Sequence, residues 1–258
     1  MKIVPPAADN PGEITLYVKG FRGRGGDEHF AKWYRCHSHL VRSHGWGERA
    51  SGYAWDLGTL RPAPPFGAAL HLAGDVLRAR RSGSLPSPWR ALAVGLGEQG
   101  VWAALRLAQQ YRDAAHAARA RAHELAEQLR GLAQRFSLVR VVAHSLGCLQ
   151  TIEALHLLDP AERPHEVHLC AAACREAEVQ GKLDVLPAGR TAIYFARGDL
   201  VLETAFRALS RGRAIGSAGL AGGYPGLVSL DVGEHFSFFV HREYCRRFGR
   251  FALRFGVD

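Results

Sequence analysis

The stretch Val139-Arg140-Val141-Val142-Ala143-His144-Ser145-Leu146-Gly147-Cys148 decides how this chain is read. Its β-branched run of Val139, Val141 and Val142 predicts a buried strand. Ala-His-Ser-Leu-Gly follows at once, and then an apolar helical pattern of Leu149, Ile152, Leu155, His156 and Leu158. Strand, tight turn with a central serine, and helix form one local unit. Such a turn needs small residues two before and two after the serine, because larger ones would collide with the neighbouring strand or helix. The turn lifts the serine oxygen out of the sheet. It also leaves the backbone N–H of Leu146 at a helix N-terminus, where it is suited to stabilising a negative oxygen.

Upstream of this unit, Ile14-Thr15-Leu16-Tyr17-Val18 is a strand candidate. It runs into the glycine-dense loop Gly20–Gly26, with Asp27 able to cap the following helix. That loop matches neither GxxxxGK[ST] nor GxGxxG, so a phosphate cradle is disfavoured. Residues 28–44 follow a helical period. His29, His37, His39 and His44 are read as lying on its solvated face, because no helix face collects three of them with a carboxylate. Ser51–Asp56 is a short strand, and the helix before it fits a parallel βαβ crossover. Residues 60–95 are irregular, with Pro62, Pro64 and Pro65 ahead of an amphipathic stretch, Phe66 to Arg81. They form either a lid over a cleft or a surface helix packed on the sheet. Residues 98–135 read as one long helix with at most one break, and no sustained heptad makes it a coiled coil.

Downstream, Glu166–Ala172, Thr191–Phe195 and Leu227–Leu230 read as further strands. A last helix runs from Phe238 to about Leu253. Alternation of strands and helices predicts a doubly wound, mainly parallel α/β sheet forming a single domain over residues 1–258, with 60–95 as an insertion.

Composition narrows the function. Hydrophobic residues make up 47% of the 258, which is globular rather than disordered. No apolar run approaches the roughly 20 residues of a membrane span, and the N-terminus lacks a signal-peptide core. The expected setting is the cytoplasm. The formal charge is +9, but only four of the 33 basic residues are lysine and the arginines are dispersed, so no specific nucleic-acid partner is expected. Attraction to anionic membrane surfaces stays open, with Arg78, Arg80 and Arg81 beside the insertion as the basic cluster. Five cysteines (Cys36, Cys148, Cys170, Cys174, Cys245) lack paired CxxC spacing and read as small core residues. No metal or cofactor is expected.

At Ala143–Gly147 the chain resembles the α/β-hydrolase superfamily, whose lipases and esterases carry His-Ser-Leu-Gly in this form; Ala143 stands where the usual pattern has Gly. The resemblance implies a catalytic serine, Ser145, followed in the chain by a carboxylate and then a histidine. Asp199 lies just beyond a strand, with Gly198 easing the turn, and is favoured over Asp184 and Asp231. His235 follows the last strand by a short loop, where the superfamily places its base. His241 is read as lying inside the helix, and His144 as a support of the turn. The resemblance also implies an oxyanion hole of the Leu146 N–H and that of Phe21 or Arg22. A serine esterase or lipase acting on a small-molecule or lipid ester follows. A thioesterase or amidase with the same triad, or a non-catalytic binding module of this fold, are the alternatives. Oligomeric state is left open.

Overall fold

A computed structural model of the protein describes residues 12–20, 27–55, 109–184, 186, 189–237 and 240–253. Its centre is a six-stranded sheet: β1 (Glu13–Val18), β2 (Ala50–Tyr53), β3 (Leu138–His144), β4 (Glu166–Cys170), β5 (Arg190–Phe195) and β6 (Leu227–Asp231). The spatial order is β2-β1-β3-β4-β5-β6, and every adjacent pair is parallel. The fold is therefore α/β, with a doubly wound parallel sheet. β3, β4 and β5 are buried almost throughout, because both faces of a parallel sheet are covered by helices. β6 closes one edge and leaves Val228 exposed.

Helix α1 (Asp27–His44) links β1 to β2. Residues 109–120 form α2, a turn at Arg121 interrupts the helix, and α3 (Ala122–Ala133) continues it. Ala114, Ala118, Ala122, Leu125, Ala126, Leu129 and Leu132 are buried at helical spacing, so one apolar stripe runs across the break. Gln150 ties the interruption down by donating from Nε2 to the Arg121 carbonyl at 3.2 Å. Next come α4 (Leu146–His156), which packs on α3, and α5 (Glu176–Leu183). A wide turn (Val201–Phe206) leads into α6 (Arg207–Ser210), then α7 (Ile215–Ala218) and α8 (Val240–Arg247), which packs on α1.

The chain leaves β1 toward β2 on one side and returns to β3 on the other. The strand order thus reverses between β1 and β3, and the crevice at their carboxyl ends is where open α/β sheets bind ligands. Gly20 and Ser145 meet there. A Cβ on Gly20 would stand 2.8 Å from the His144 carbonyl and 2.9 Å from the Ser145 Cβ.

Several expectations are corrected. The strand read at 51–56 spans Ala50–Tyr53, and the last helix ends at Arg247 rather than near Leu253, followed by a 3-10 turn, Phe248–Arg250; its expected start at Phe238 lies outside the described residues. His37 is not on a solvated face. It shares the buried stripe of Trp33 and Leu40, takes a hydrogen bond from the Tyr17 hydroxyl (Nδ1, 3.0 Å) and donates from Nε2 to the Gly47 carbonyl (3.0 Å). Burial pulls its pKa down to about 4. Four of the cysteines are buried free thiols, and Cys245 is half-buried. The insertion at 60–95, with Arg78, Arg80 and Arg81, and the loop residues Phe21 and Arg22 lie outside the described residues. Among the described residues no helix is long and apolar enough to cross a membrane.

Candidate active site

Ser145 follows β3 directly and holds φ 57° and ψ −124°, a backbone region that non-glycine residues seldom enter. Three hydrogen bonds keep it there. Its N–H donates to the Cys170 carbonyl at 3.0 Å, and its own carbonyl accepts from Cys148 N–H (3.0 Å) and Ala173 N–H (3.2 Å). Strain of this kind costs on the order of 1–3 kcal/mol and persists where surroundings over-determine it. Gly147 shows why the turn is built from small residues: a Cβ there would stand 2.6 Å from the Lys19 carbonyl oxygen and 2.9 Å from that of Val18. At position 143 the alanine methyl is fully buried in β3, beside Val18 of β1. Leu146 opens α4, so its N–H belongs to the first turn, whose donors have no partner within the helix.

Asp199 ends the turn that follows β5, its N–H bonded to the Ala196 carbonyl at 3.0 Å. The side chain is fully buried. A buried carboxylate needs several donors, and this one has them. Oδ1 accepts from Val201 N–H (3.1 Å) and Leu202 N–H (3.2 Å), which caps the following turn. Oδ2 faces the imidazole of His241, 2.7 Å from Nδ1.

His241 sits in the first turn of α8, with Nε2 3.1 Å from the Ser145 Oγ. The Asp199 carboxylate can only accept, so it fixes the proton of His241 on Nδ1. That leaves Nε2 as the acceptor turned toward the serine hydroxyl. Serine, imidazole and carboxylate thus form one continuous relay from β3, α8 and the end of β5.

The structure therefore brings Ser145 and Asp199 together, but around His241; His235, the histidine expected there, is held apart from them. His235 lies in a 3-10 turn, Gly233–His235, at the end of β6. Its ring packs on Phe251 at 5.4 Å between centroids, with Nε2 3.7 Å from Glu234. Sheet order explains this. β6 lies three strand spacings from β3, roughly 14 Å, and a residue held at the β6 end cannot reach the serine. Side chains tilt toward a helix N-terminus, so a first-turn residue projects beyond the helix, and this was the available signal for His241. Of the rival acids, Asp231 pairs with Arg197 (3.3 Å) and Gly233 N–H (3.0 Å), and Asp184 caps α5.

Beneath this site the α1/α8 face of the sheet carries a buried polar chain. Arg140 pairs with Glu166, stacks over Trp46 at 4.1 Å, and shares Glu166 with His168, which in turn accepts from the Tyr194 hydroxyl at 2.8 Å. Burial alone would raise the Glu166 carboxyl, but His168 and Arg140 outweigh it and hold it at about 2. Among the described residues no group of three His, Cys, Asp or Glu side chains is arranged to hold a metal ion.

No protein-family model matches the sequence, and no curated protein matches it. Among solved structures, the chain is similar to an uncharacterised protein from Capnocytophaga ochracea DSM 7271, at 10% identity and a TM-score of 0.42. The match covers 96% of this chain and 57% of that one, so this chain spans little more than half of that structure's length. At that level it bears on neither activity nor substrate.

Proposed function

We propose that the chain is a serine hydrolase of the α/β-hydrolase type, cleaving a carboxylic ester through an acyl-enzyme. The observation that carries this reading is the unbroken relay Ser145 Oγ–His241 Nε2 (3.1 Å) and His241 Nδ1–Asp199 Oδ2 (2.7 Å). Its order in the chain, Ser then Asp then His, and its position at the carboxyl ends of parallel strands support the same reading.

In the first half-reaction, His241 Nε2 takes the Ser145 proton as Oγ bonds to the ester carbonyl carbon. The carbonyl oxygen becomes an oxyanion, which the Leu146 N–H stabilises. The imidazolium, held by the Asp199 carboxylate, then gives its proton to the departing alcohol oxygen, and the C–O bond breaks. Water repeats the sequence on the acyl-enzyme and restores Ser145. Asp199 holds the imidazole in place through these steps, its two oxygens facing three nitrogens.

The test is turnover of p-nitrophenyl esters of graded length, with fluorophosphonate labelling of the parent and of Ser145→Ala. The parent is expected to hydrolyse the esters and to be labelled at Ser145. Ser145→Ala is expected to lose roughly four to six orders of magnitude in rate. Equal turnover by the two proteins, or an unlabelled parent, overturns the reading.

A further inference from the structure

The residue before the serine is also a histidine, and its ring lies with Ser145 against Gly20, where an added Cβ would stand 3.0 Å from His144 Nδ1 and 2.9 Å from Ser145 Cβ. His144 Nε2 lies 2.9 Å from the main-chain carbonyl oxygen of His241, a contact spanning 97 residues. A carbonyl only accepts, so His144 donates its Nε2–H. The two rings lie 4.8 Å apart between centroids at 50°. His144 is itself wedged by Trp33 of α1 (6.3 Å) and Tyr244 of α8 (6.0 Å). Consecutive residues of one strand end therefore grip one histidine at two points: Ser145 at the side chain, His144 at the backbone.

We infer that His144 is a positioning residue, which fixes the start of α8 to the end of β3 and so sets the distance between nucleophile and base. This rests on the serine-hydrolase reading of the site. The physical case begins with where His241 stands. It lies in the first described turn of α8, and helix ends fray. Val240 and Tyr244 bury the inner face of α8, and the Tyr244 hydroxyl donates to the Tyr194 carbonyl at 3.4 Å, three residues beyond His241; apolar packing itself has no direction and tolerates sliding. The relay needs directional placement, since about 1 Å of displacement at a reacting group costs on the order of a hundredfold in rate. The His144 bond supplies that direction. It comes from the central strand of the sheet, paired on both sides along its length. The strand that carries the nucleophile thus also carries the anchor of the base, and any movement of β3 moves both together.

The test separates the donor from the ring. Gln places its side-chain amide nitrogen close to the position of a histidine Nε2, whereas Phe keeps the bulk and the aromatic packing without a donor. His144→Gln is expected to recover most of the parental kcat. His144→Phe is expected to lose about 10- to 100-fold in kcat, and equally in the rate of fluorophosphonate labelling, with KM changed by less than about threefold. The downfield proton resonance of the His241–Asp199 hydrogen bond gives a readout independent of turnover. It should persist in the Gln variant and broaden through exchange in the Phe variant. A Phe variant with parental kcat and a sharp resonance overturns the proposal, as does a Gln variant as slow as Phe. A parent that fluorophosphonate does not label at all overturns the hydrolase reading, and this one with it. A labelled parent with indifferent variants overturns this one alone.

Discussion

His241 Nδ1 stands 2.7 Å from Asp199 Oδ2, joining the first turn of α8 to the turn after β5 across 42 residues. The other carboxylate oxygen caps the backbone of Val201 and Leu202. One side chain therefore orients the His241 imidazole and starts the next turn of chain. Its two duties are linked, because the capping bonds aim the free oxygen at the imidazole. That linkage makes the acid sensitive to small chemical changes.

Asp199→Asn should show it. The carboxamide keeps the shape, but it can present its NH₂ to Nδ1 and favour the tautomer with its proton on Nε2, which is useless to Ser145. A loss of about 10⁴ in kcat with a modest change in thermal midpoint is expected. Steady-state kinetics beside a melting curve checks it; parental kcat would remove Asp199 from the relay.

The two histidines near the C-terminus should behave oppositely. His241→Ala should lower kcat by several orders of magnitude, and His235→Ala should stay within a few-fold of the parent. Combining His241→Ala with Asp199→Ala should be little worse than the more damaging single change, because the groups act as a unit. Multiplying defects would mean that the two residues act independently.

Gly147→Ala probes the turn itself. The added Cβ would press on the Lys19 and Val18 carbonyls at 2.6 and 2.9 Å, which are backbone atoms without rotamers to escape through. A destabilisation of about 1–3 kcal/mol by urea unfolding, with a larger fall in labelling of Ser145, is expected. An unaffected unfolding midpoint would show that β1 and α4 separate easily.

Acid should unfold the protein in two stages set by buried groups. His37 is held neutral, its pKa lowered by burial from 6.5 to about 4, so the unfolded state binds a proton first. The stability it contributes is complete above pH 6.5 and is lost as pH falls toward 4, by on the order of 3 kcal/mol. Glu166, depressed from 4.5 to about 2, has the same sign over a lower range, between pH 4.5 and 2. His37→Gln should reduce the slope of the stability curve between pH 6.5 and 4, where His168, also lowered by burial, acts with the same sign, and should leave the lower limb in place. Urea midpoints measured at half-unit pH intervals give the comparison, and an unchanged upper limb would clear His37 of the effect.

Local chemistry in the sequence was enough for the parallel sheet and for two members of the relay. β-branched runs buried on both faces announce central strands wherever they occur. Ser145 was legible because its turn has steric requirements that the neighbouring residues meet. Asp199 was legible because an acidic residue just beyond a strand, after a glycine, stands at the carboxyl edge by construction. None of these inferences depends on which strands are neighbours.

The base did depend on that. Choosing between His235 and His241 required knowing that β6 stands three strands from β3 and that α8 brings His241 to the end of β3. Both are consequences of packing, since sequence distance from a strand end says nothing about the distance back across a sheet. His37 and His144 carry the same lesson. Their spacing is compatible with a solvated face or a simple support, and only the assembled layers place one against Tyr17 and the other under the backbone of His241. Short-range sterics are written in neighbouring residues, whereas contacts across 42 and 97 residues exist only once the sheet has set which strand ends lie side by side.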